Sequence, residues 1–319
     1  MLSEADFVGR SLCVVGNINR DIKTAALPSG EYLFRDGETS VGSVSETIGG
    51  GGANSAFTAA ALGAKVAFLG KVGSDGLGRR LDQTLVRYGI SASLAMDETQ
   101  PSGTSIALTF DDGQRHFVSC LPASRSLTIE DLDLSVLNGQ GHLLRADVWF
   151  SEPMLFGGNK RLFEHARLAG VSVSLDLNWD PHWGQASPAD IHARKQAVRD
   201  LLPLVDLAHG NVRELMEFSD ADTLDTALHR ITEWGADAVV VHLGKKGAGF
   251  YSRGALEIEP PTLVKSMSNS TGTGDVLSVC MMLLHRHPEM NIRTRLRLSN
   301  AIVAEFMEGR RQFIPHLAD

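Results

Sequence analysis

Ile48-Gly-Gly-Gly-Gly52-Ala-Asn54-Ser-Ala-Phe-Thr-Ala-Ala-Ala-Leu-Gly63 sets four consecutive glycines before a helix built largely of alanine. Glycine lets backbone approach a ligand closely, and small side chains let a helix pack tightly on a sheet. The run is not a GxGxxG fingerprint, because Asn54 falls where the third glycine belongs. Nor does the chain contain GxxxxGK[ST]: Gly70-Lys71 is followed by Val72 and lacks the upstream glycine. Downstream, Lys65–Gly70 reads as a strand, and Gly73-Ser-Asp75-Gly-Leu-Gly78 opens a helix from Arg79 to Tyr88. Upstream, the apolar run Ser11–Gly16 reads as a buried first strand. It delivers Asn17-Ile-Asn-Arg-Asp21 where a parallel strand opens onto a ligand crevice. On these residues alone Asp21 reads more simply as a turn or cap.

The second half alternates strand and helix: strands at Asp147–Phe150, Val171–Leu175, Leu204–Ala208 and Ala238–Leu243, and helices at Lys160–Ala169, Ile191–Leu201 and Leu224–Trp234. This rhythm predicts a parallel sheet covered by helices on both faces. Sites in such sheets gather at the carboxyl ends of the strands. Asn19, Asp21, Glu152, Asn211, Glu214 and Gly244 all follow strands and can converge there. Two stretches interrupt the pattern. Residues 22–47 are polar and glycine-rich, and residues 102–120 read as a hairpin around Asp111-Asp-Gly113. They predict short strands that pair into one small sheet over the main domain.

Composition excludes several classes. With 319 residues, 43% of them hydrophobic and 21% charged, the chain fits one large α/β domain rather than a disordered or fibrous protein. A net charge of -8 argues against a nucleic-acid partner. The longest apolar runs, such as Val276–Leu284, are too short for a bilayer, and the acidic N-terminus is no secretory signal, so cytoplasm is the expected compartment. Cys13, Cys120 and Cys280 read as buried free thiols, His285 and His287 as a solvated helix end, and Arg293, Arg295 and Arg297 as a solvated face.

Near the C-terminus, Ser268-Asn-Ser-Thr-Gly-Thr-Gly-Asp275 enters the apolar run Val276–Leu284. Orphan N–H groups and the helix dipole make such a start attractive to anions. Asp275 in that first turn either complements the dipole, worth roughly 0.3–1 kcal/mol, or has chemistry of its own.

Gly50-Gly51-Gly52-Ala-Asn54-Ser-Ala56, six residues, Gly63, nine residues and Gly73 resemble the N-terminal signature of the ribokinase-like (PfkB) carbohydrate kinases. The resemblance runs from Cys13 to about Asn300 and extends to Asp21, the Asn-x-x-Glu of Asn211 and Glu214, and the Gly-x-Gly-Asp loop at Asp275. It implies a three-layer α/β/α domain over 1–319, with a mainly parallel central sheet and a small β-sheet lid formed by segments 22–47 and 102–120. It implies ATP-dependent phosphorylation of a sugar-like hydroxyl, with Asp275, ionised at neutral pH, as general base. Backbone N–H groups of Gly272, Thr273 and Gly274 would form the anion hole. Asn19, Asp21, Gly50, Gly51, Asn54 and Glu152 would hold the acceptor. Asn211, Gly244, Gly247 and Asn300 would contact nucleotide, and Glu214 would organise Mg²⁺ through water. Asn269 stands in place of the family's first loop Asp, which weakens the case for K⁺ activation, and Thr273 replaces a small Ala. The family also implies a homodimer through the lid.

A neutral sugar ranks first as acceptor. An acidic sugar of the 2-keto-3-deoxygluconate type would need a cation such as Arg20, Arg35 or Arg115, and a nucleoside would need stacking from Tyr32, Phe34 or Phe117. The loop departures also admit a relative that binds sugar and nucleotide without turnover. A Rossmann oxidoreductase is disfavoured by the missing dinucleotide fingerprint.

Overall fold

In this computed structural model, residues 4–112, 115–266 and 271–317 are described. The chain enters through β1 (Ser11–Val15), then β2 (Asn19–Thr24) and β3 (Val44–Gly49), before α1 (Gly51–Ala61), β4 (Lys65–Gly73), α2 (Gly76–Arg87) and β5 (Ser91–Asp97). The hairpin β6 (Thr104–Thr109) and β7 (Arg115–Cys120) precedes a short α3 (Pro122–Arg125) and β8 (His142–Arg145). Regular alternation follows: α4 (Asn159–Leu168), β9 (Ser172–Asp176), α5 (Pro188–Arg199), β10 (Leu207–Asn211), α6 (Val212–Ser219), α7 (Leu224–Glu233) and β11 (Ala238–His242). The hairpin β12 (Ala248–Ser252) and β13 (Ala255–Glu259), then α8 (Thr273–Leu283) and α9 (Ile292–Met307), complete it.

The large sheet runs β13-β12-β11-β10-β9-β8-β1-β4-β5, parallel from β11 to β5, with β12 and β13 antiparallel at one edge. Its inner strands are apolar on both faces because helices cover both. Side-chain alternation divides the core. Leu12, Val14, Phe68 and Val240 pack with α1, α8 and α9, whereas Cys13, Val15, Leu69 and Val241 pack with α4, α6 and α7. This is the expected three-layer arrangement.

The two interrupting segments do pair. A separate sheet runs β3-β2-β6-β7, with β2 and β6 parallel through Ile22 and Ile106 and a hairpin on either side. Its strands begin earlier than the polar texture suggests, so Asn19 and Asp21 stand on β2 itself. The tip residue Gly113 lies outside the described residues.

Several boundaries differ from the sequence reading. The strand expected at Asp147–Phe150 is β8, five residues earlier, and Asp147 lies in the turn beyond it. His142 and Arg145 disguised that strand, yet both are buried. His142 Nε2 meets Ser174 Oγ at 2.6 Å, and Arg145 Nε donates to Asn159 Oδ1 at 2.7 Å. Leu204 ends a 3-10 turn containing Pro203, which delays β10 so that Asn211 is its last residue. The β12–β13 hairpin went unread. Cys120 is exposed, because β7 is the edge of a small, thin sheet. His285 is not solvated: its ring packs edge-on to His142 at 5.6 Å, and burial pushes its pKa down to about 4. His287 is also largely covered and faces Asp6 at 3.6 Å. Arg293 and Arg297 do form an exposed face, turned to Glu259. No helix among the described residues is long and apolar enough to cross a membrane.

Candidate active site

The site is built where β1 ends. The chain leaves Val15 through Gly16 and Asn17, and the glycine turn before α1 folds back upon it. Gly50 has φ 98°, and a Cβ there would lie 2.3 Å from the carbonyl oxygen of Asn17, so no larger residue fits. A carboxylate that sequence reasoning missed ties this turn down. Asp147 Oδ2 accepts from the N–H groups of Asn17 and Gly52, both at 2.9 Å, and its Oδ1 accepts from Gly51 at 3.2 Å. Asp147 itself takes a left-handed φ of 55°. Burial raises its pKa, and the three N–H donors and Arg145 oppose that shift. Nothing in the local sequence marks this role, because the donors lie 95 to 130 residues away.

The acceptor-side residues assemble around the same turn. Asn19 Nδ2 donates to Asp21 Oδ1 at 2.7 Å, and Asp21 is 8% exposed. Burial raises the Asp21 pKa against the pull of Lys23 and Asn19. From α1, Asn54 Nδ2 donates to Asp275 Oδ2 at 3.0 Å, joining the glycine signature to the first turn of α8 across 221 residues. Asn54 Oδ1 is buried and has no hydrogen-bond partner among the described residues. Glu152 behaves differently: its side chain is 68% exposed and turned to Arg194 at 3.6 Å, with no hydrogen bond to this cluster among the described residues.

At α8, Gly272 provides the N-cap in a left-handed conformation, φ 84°, and Asp275 occupies the first turn. The N–H groups of such a turn have no intrahelical partners. Burial pushes Asp275 up to about 7, with Asp147 and Glu214 adding to the rise and the Asn54 bond opposing it. Asp275 is therefore poised between its protonated and ionised forms at neutral pH, rather than fully ionised as its reference pKa suggests.

Beside α8 lies a cavity of about 350 Å³ whose walls include Gly244, Gly247, Asn300, Thr273 and Gly274, with Leu277, Val303 and Met307 as apolar lining. Three of the four expected nucleotide residues thus meet there. Asn300 uses its amide to strap the loop after β13, donating to the carbonyls of Glu259 and Pro260 at 3.0 and 2.9 Å. The fourth, Asn211, forms a reciprocal capping box with Glu214: Asn211 N donates to Glu214 Oε2 at 2.8 Å, and Glu214 N to Asn211 Oδ1 at 3.0 Å. His242 was also missed. It lines the cavity, bonds Ser278 Oγ through Nε2 at 2.9 Å, and lies so close that a Cβ on Gly274 would meet its Nδ1 at 2.9 Å. Burial lowers its pKa to about 4, so the ring facing the glycine loop is neutral at ordinary pH.

No group of three metal-ligating side chains exists among the described residues. The charge pattern nonetheless fits a hydrated cation. Asp176, at the end of β9, is half-buried, and desolvation together with Glu214, Asp275 and Asp147 raises it well above its usual range. Crowded carboxylates of this kind are relieved by a divalent ion, and Mg²⁺ retains several waters, so few direct ligands are needed. Asn269 lies outside the described residues. Of the candidate cations, Arg20 faces Glu46 at 3.6 Å and Arg35 faces Glu31 at 3.2 Å, and the side chains of Arg115 and Phe34 fall outside the described set.

A parallel sheet with its site at the strand ends, a small sheet above it, and a glycine-rich helix start carrying a carboxylate define a ribokinase-like phosphotransferase. Residues 10–302 match the family described as pfkB family carbohydrate kinase, and the chain belongs to that family of enzymes acting on hydroxyl groups. It is 25% identical over 289 residues to ribokinase of Arabidopsis thaliana, covering 86% of this chain and 70% of the relative. It is 28% identical over 270 residues to the Arabidopsis protein described as probable fructokinase-4, covering 79% of each. Among solved structures, fructokinase with bound ATP from Xylella fastidiosa superposes with a TM-score of 0.77 at 20% identity, covering 95% of this chain and 92% of that one. Arabidopsis ribokinase complexed with ribose and ATP superposes at 0.73, covering 97% of both chains.

Proposed function

We propose that this enzyme transfers the γ-phosphoryl group of ATP to a hydroxyl of a small neutral sugar, with Asp275 as general base. The observation that carries this reading is the Asn54–Asp275 bond, which joins the acceptor-side turn to a helix start beside the nucleotide-sized cavity. The acceptor hydroxyl gives its proton to Asp275 as its oxygen bonds to the γ-phosphorus and the bond to ADP breaks. The N–H groups of Gly272, Thr273 and Gly274 stabilise the charge on the transferring group. Asn19, Asp21, Gly50, Gly51 and Asn54 orient the hydroxyls. Glu152, turned to Arg194, joins them only if that contact opens. Glu214, beside Asp176, would hold Mg²⁺ through water, and the ion would supply charge neutralisation for the phosphates. The relatives solved with ATP support the donor, and an E. coli protein assigned as a ribokinase II, solved with ATP and Mg²⁺, supports the metal.

A neutral acceptor is favoured over a sugar acid because Arg20 and Arg35 are already engaged with glutamates. ADP release is to be measured with neutral sugars, sugar acids and nucleosides. If the wild type binds sugar and nucleotide but turns over none of them, the kinase reading fails.

The raised Asp275 pKa gives a pH signature. Since the base must be ionised, kcat/KM rises with pH through about 7 and then levels. The Asn54 bond lowers that pKa, so Asn54→Leu moves the acid limb to higher pH. A kcat/KM–pH profile that does not move removes Asp275 from the titrating step.

The face of the small sheet turned away from Asp21 exposes Val44, Ile106 and Val118, with Ile106 and Val118 directly paired. Such a contiguous apolar face supports a homodimer through the lid. Val118→Glu is expected to yield monomers by light scattering, whereas a wild type that is monomeric at all concentrations excludes this assembly.

A further inference from the structure

A second cavity, of about 260 Å³, lies at the opposite end of the sheet and shares no lining residue with the nucleotide cavity. It opens at the amino ends of three neighbouring strands. Ser11, His142 and Ser172 begin β1, β8 and β9, and all three line it, together with Arg10, His285 and Arg286. Its other wall is the last turn of α8, whose first turn carries Asp275.

The electrostatics here are lopsided. Arg10 donates only to the carbonyl of Asp6, at 3.4 Å, and makes no ion pair among the described residues. Arg286 contacts Asp206 at 2.8 Å, but Asp206 is shared with Arg167 at 2.9 Å and the N–H of Val173 at 2.7 Å. Arg295 lies close enough to Arg10 for their charges to repel, and its donors go to the carbonyls of Met290 and His287. His142 and His285 are held neutral by burial and by the neighbouring arginines, and His285 Nε2 has no hydrogen-bond partner among the described residues. Arg10 and Arg286 thus line an open, polar space with the charge of Arg295 close to Arg10, while the nearby carboxylates Asp206 and Asp6 are also turned to Arg167 and His287. A small anion relieves that congestion and meets hydroxyl and guanidinium donors suited to phosphate oxygens.

We propose that this cavity binds a small phosphate dianion, either inorganic phosphate or a phosphomonoester, with Arg10 and Arg286 as charge partners and Ser11 and Ser172 as hydroxyl donors. It is separate from the anion hole of the active site. Its size, just below the ~300–1,000 Å³ usual for small-molecule sites, suits such a ligand.

The test is calorimetric titration of the full chain with inorganic phosphate and, separately, with glycerol 3-phosphate. At least one ligand is expected to bind saturably, and the tighter of the two identifies the source of the phosphate. Arg10→Gln and Arg286→Gln are each expected to weaken that binding at least ~10-fold, equal to about 1.4 kcal/mol, with thermal melts confirming that both fold. Absence of binding by both ligands in the wild type overturns the proposal. So does affinity retained within about two-fold in both variants, because the phosphate then sits elsewhere, as at the start of α8.

Discussion

Asp275→Asn lowers kcat by about 10³-fold, within the roughly 10²–10⁴ that a positioned general base contributes, while ATP affinity changes little. The substitution keeps the shape of the side chain, and an amide oxygen still accepts from Asn54 Nδ2, so the link between α1 and α8 survives. What is lost is a proton acceptor. The same variant is expected to be more stable than the wild type, in a pH-dependent way. The Asp275 carboxyl has its folded pKa raised from 3.8 to about 7. A raised carboxyl pKa favours the folded state fully only below the unfolded value, and that contribution is withdrawn as pH rises through about 7. The melting temperature of Asp275→Asn therefore exceeds that of the wild type most at about pH 8, and the difference shrinks toward about pH 4. Calorimetry at both pH values reads this directly. An unchanged kcat places the base elsewhere, and a pH-independent difference in melting shows that Asp275 does not carry the strained charge.

Asp147→Ala is expected to have the largest effect on the fold of the site. It strips acceptors from three backbone N–H groups, those of Asn17, Gly51 and Gly52, at the point where the glycine turn meets β1. Leaving a buried donor unsatisfied costs about 1–3 kcal/mol, and removal of a partly strained carboxylate offsets some of it, so a net loss of about 3 kcal/mol follows. Asp147→Asn loses less, because a single amide oxygen placed at Oδ2 can still accept from Asn17 and Gly52. Urea unfolding of the two variants should rank alanine below asparagine below wild type. Both should also lose catalytic efficiency, since Asn54 is carried on the helix that this turn begins. Equal stability of wild type and alanine variant would remove Asp147 from any structural role.

Much of this site was legible before any tertiary contact was known. Gly50, Gly51, Asn54, Gly272, Gly274 and Asp275 were marked by two short motifs that resemble the family's signatures, and the structure brings those motifs together through the Asn54–Asp275 bond. The two β segments could be read because their polar, turn-rich texture breaks the strand–helix rhythm. Asp147, Asp176 and His242 could not. Each is an ordinary residue at a strand end, and its role comes from groups brought to it from distant parts of the chain. Glu152 shows the reverse case: its position after a strand marked it, yet its neighbour in space is Arg194.

The sequence by itself determined the layered α/β fold, the family and the two halves of the site, since periodicity and short-range motifs are carried by neighbouring residues. The tertiary structure alone decided the protonation of Asp275, the anchoring of the glycine turn by Asp147, and the cationic cavity at the far end of the sheet. These depend on burial and on charge proximity across 95 residues or more, and such quantities exist only once the chain has closed on itself.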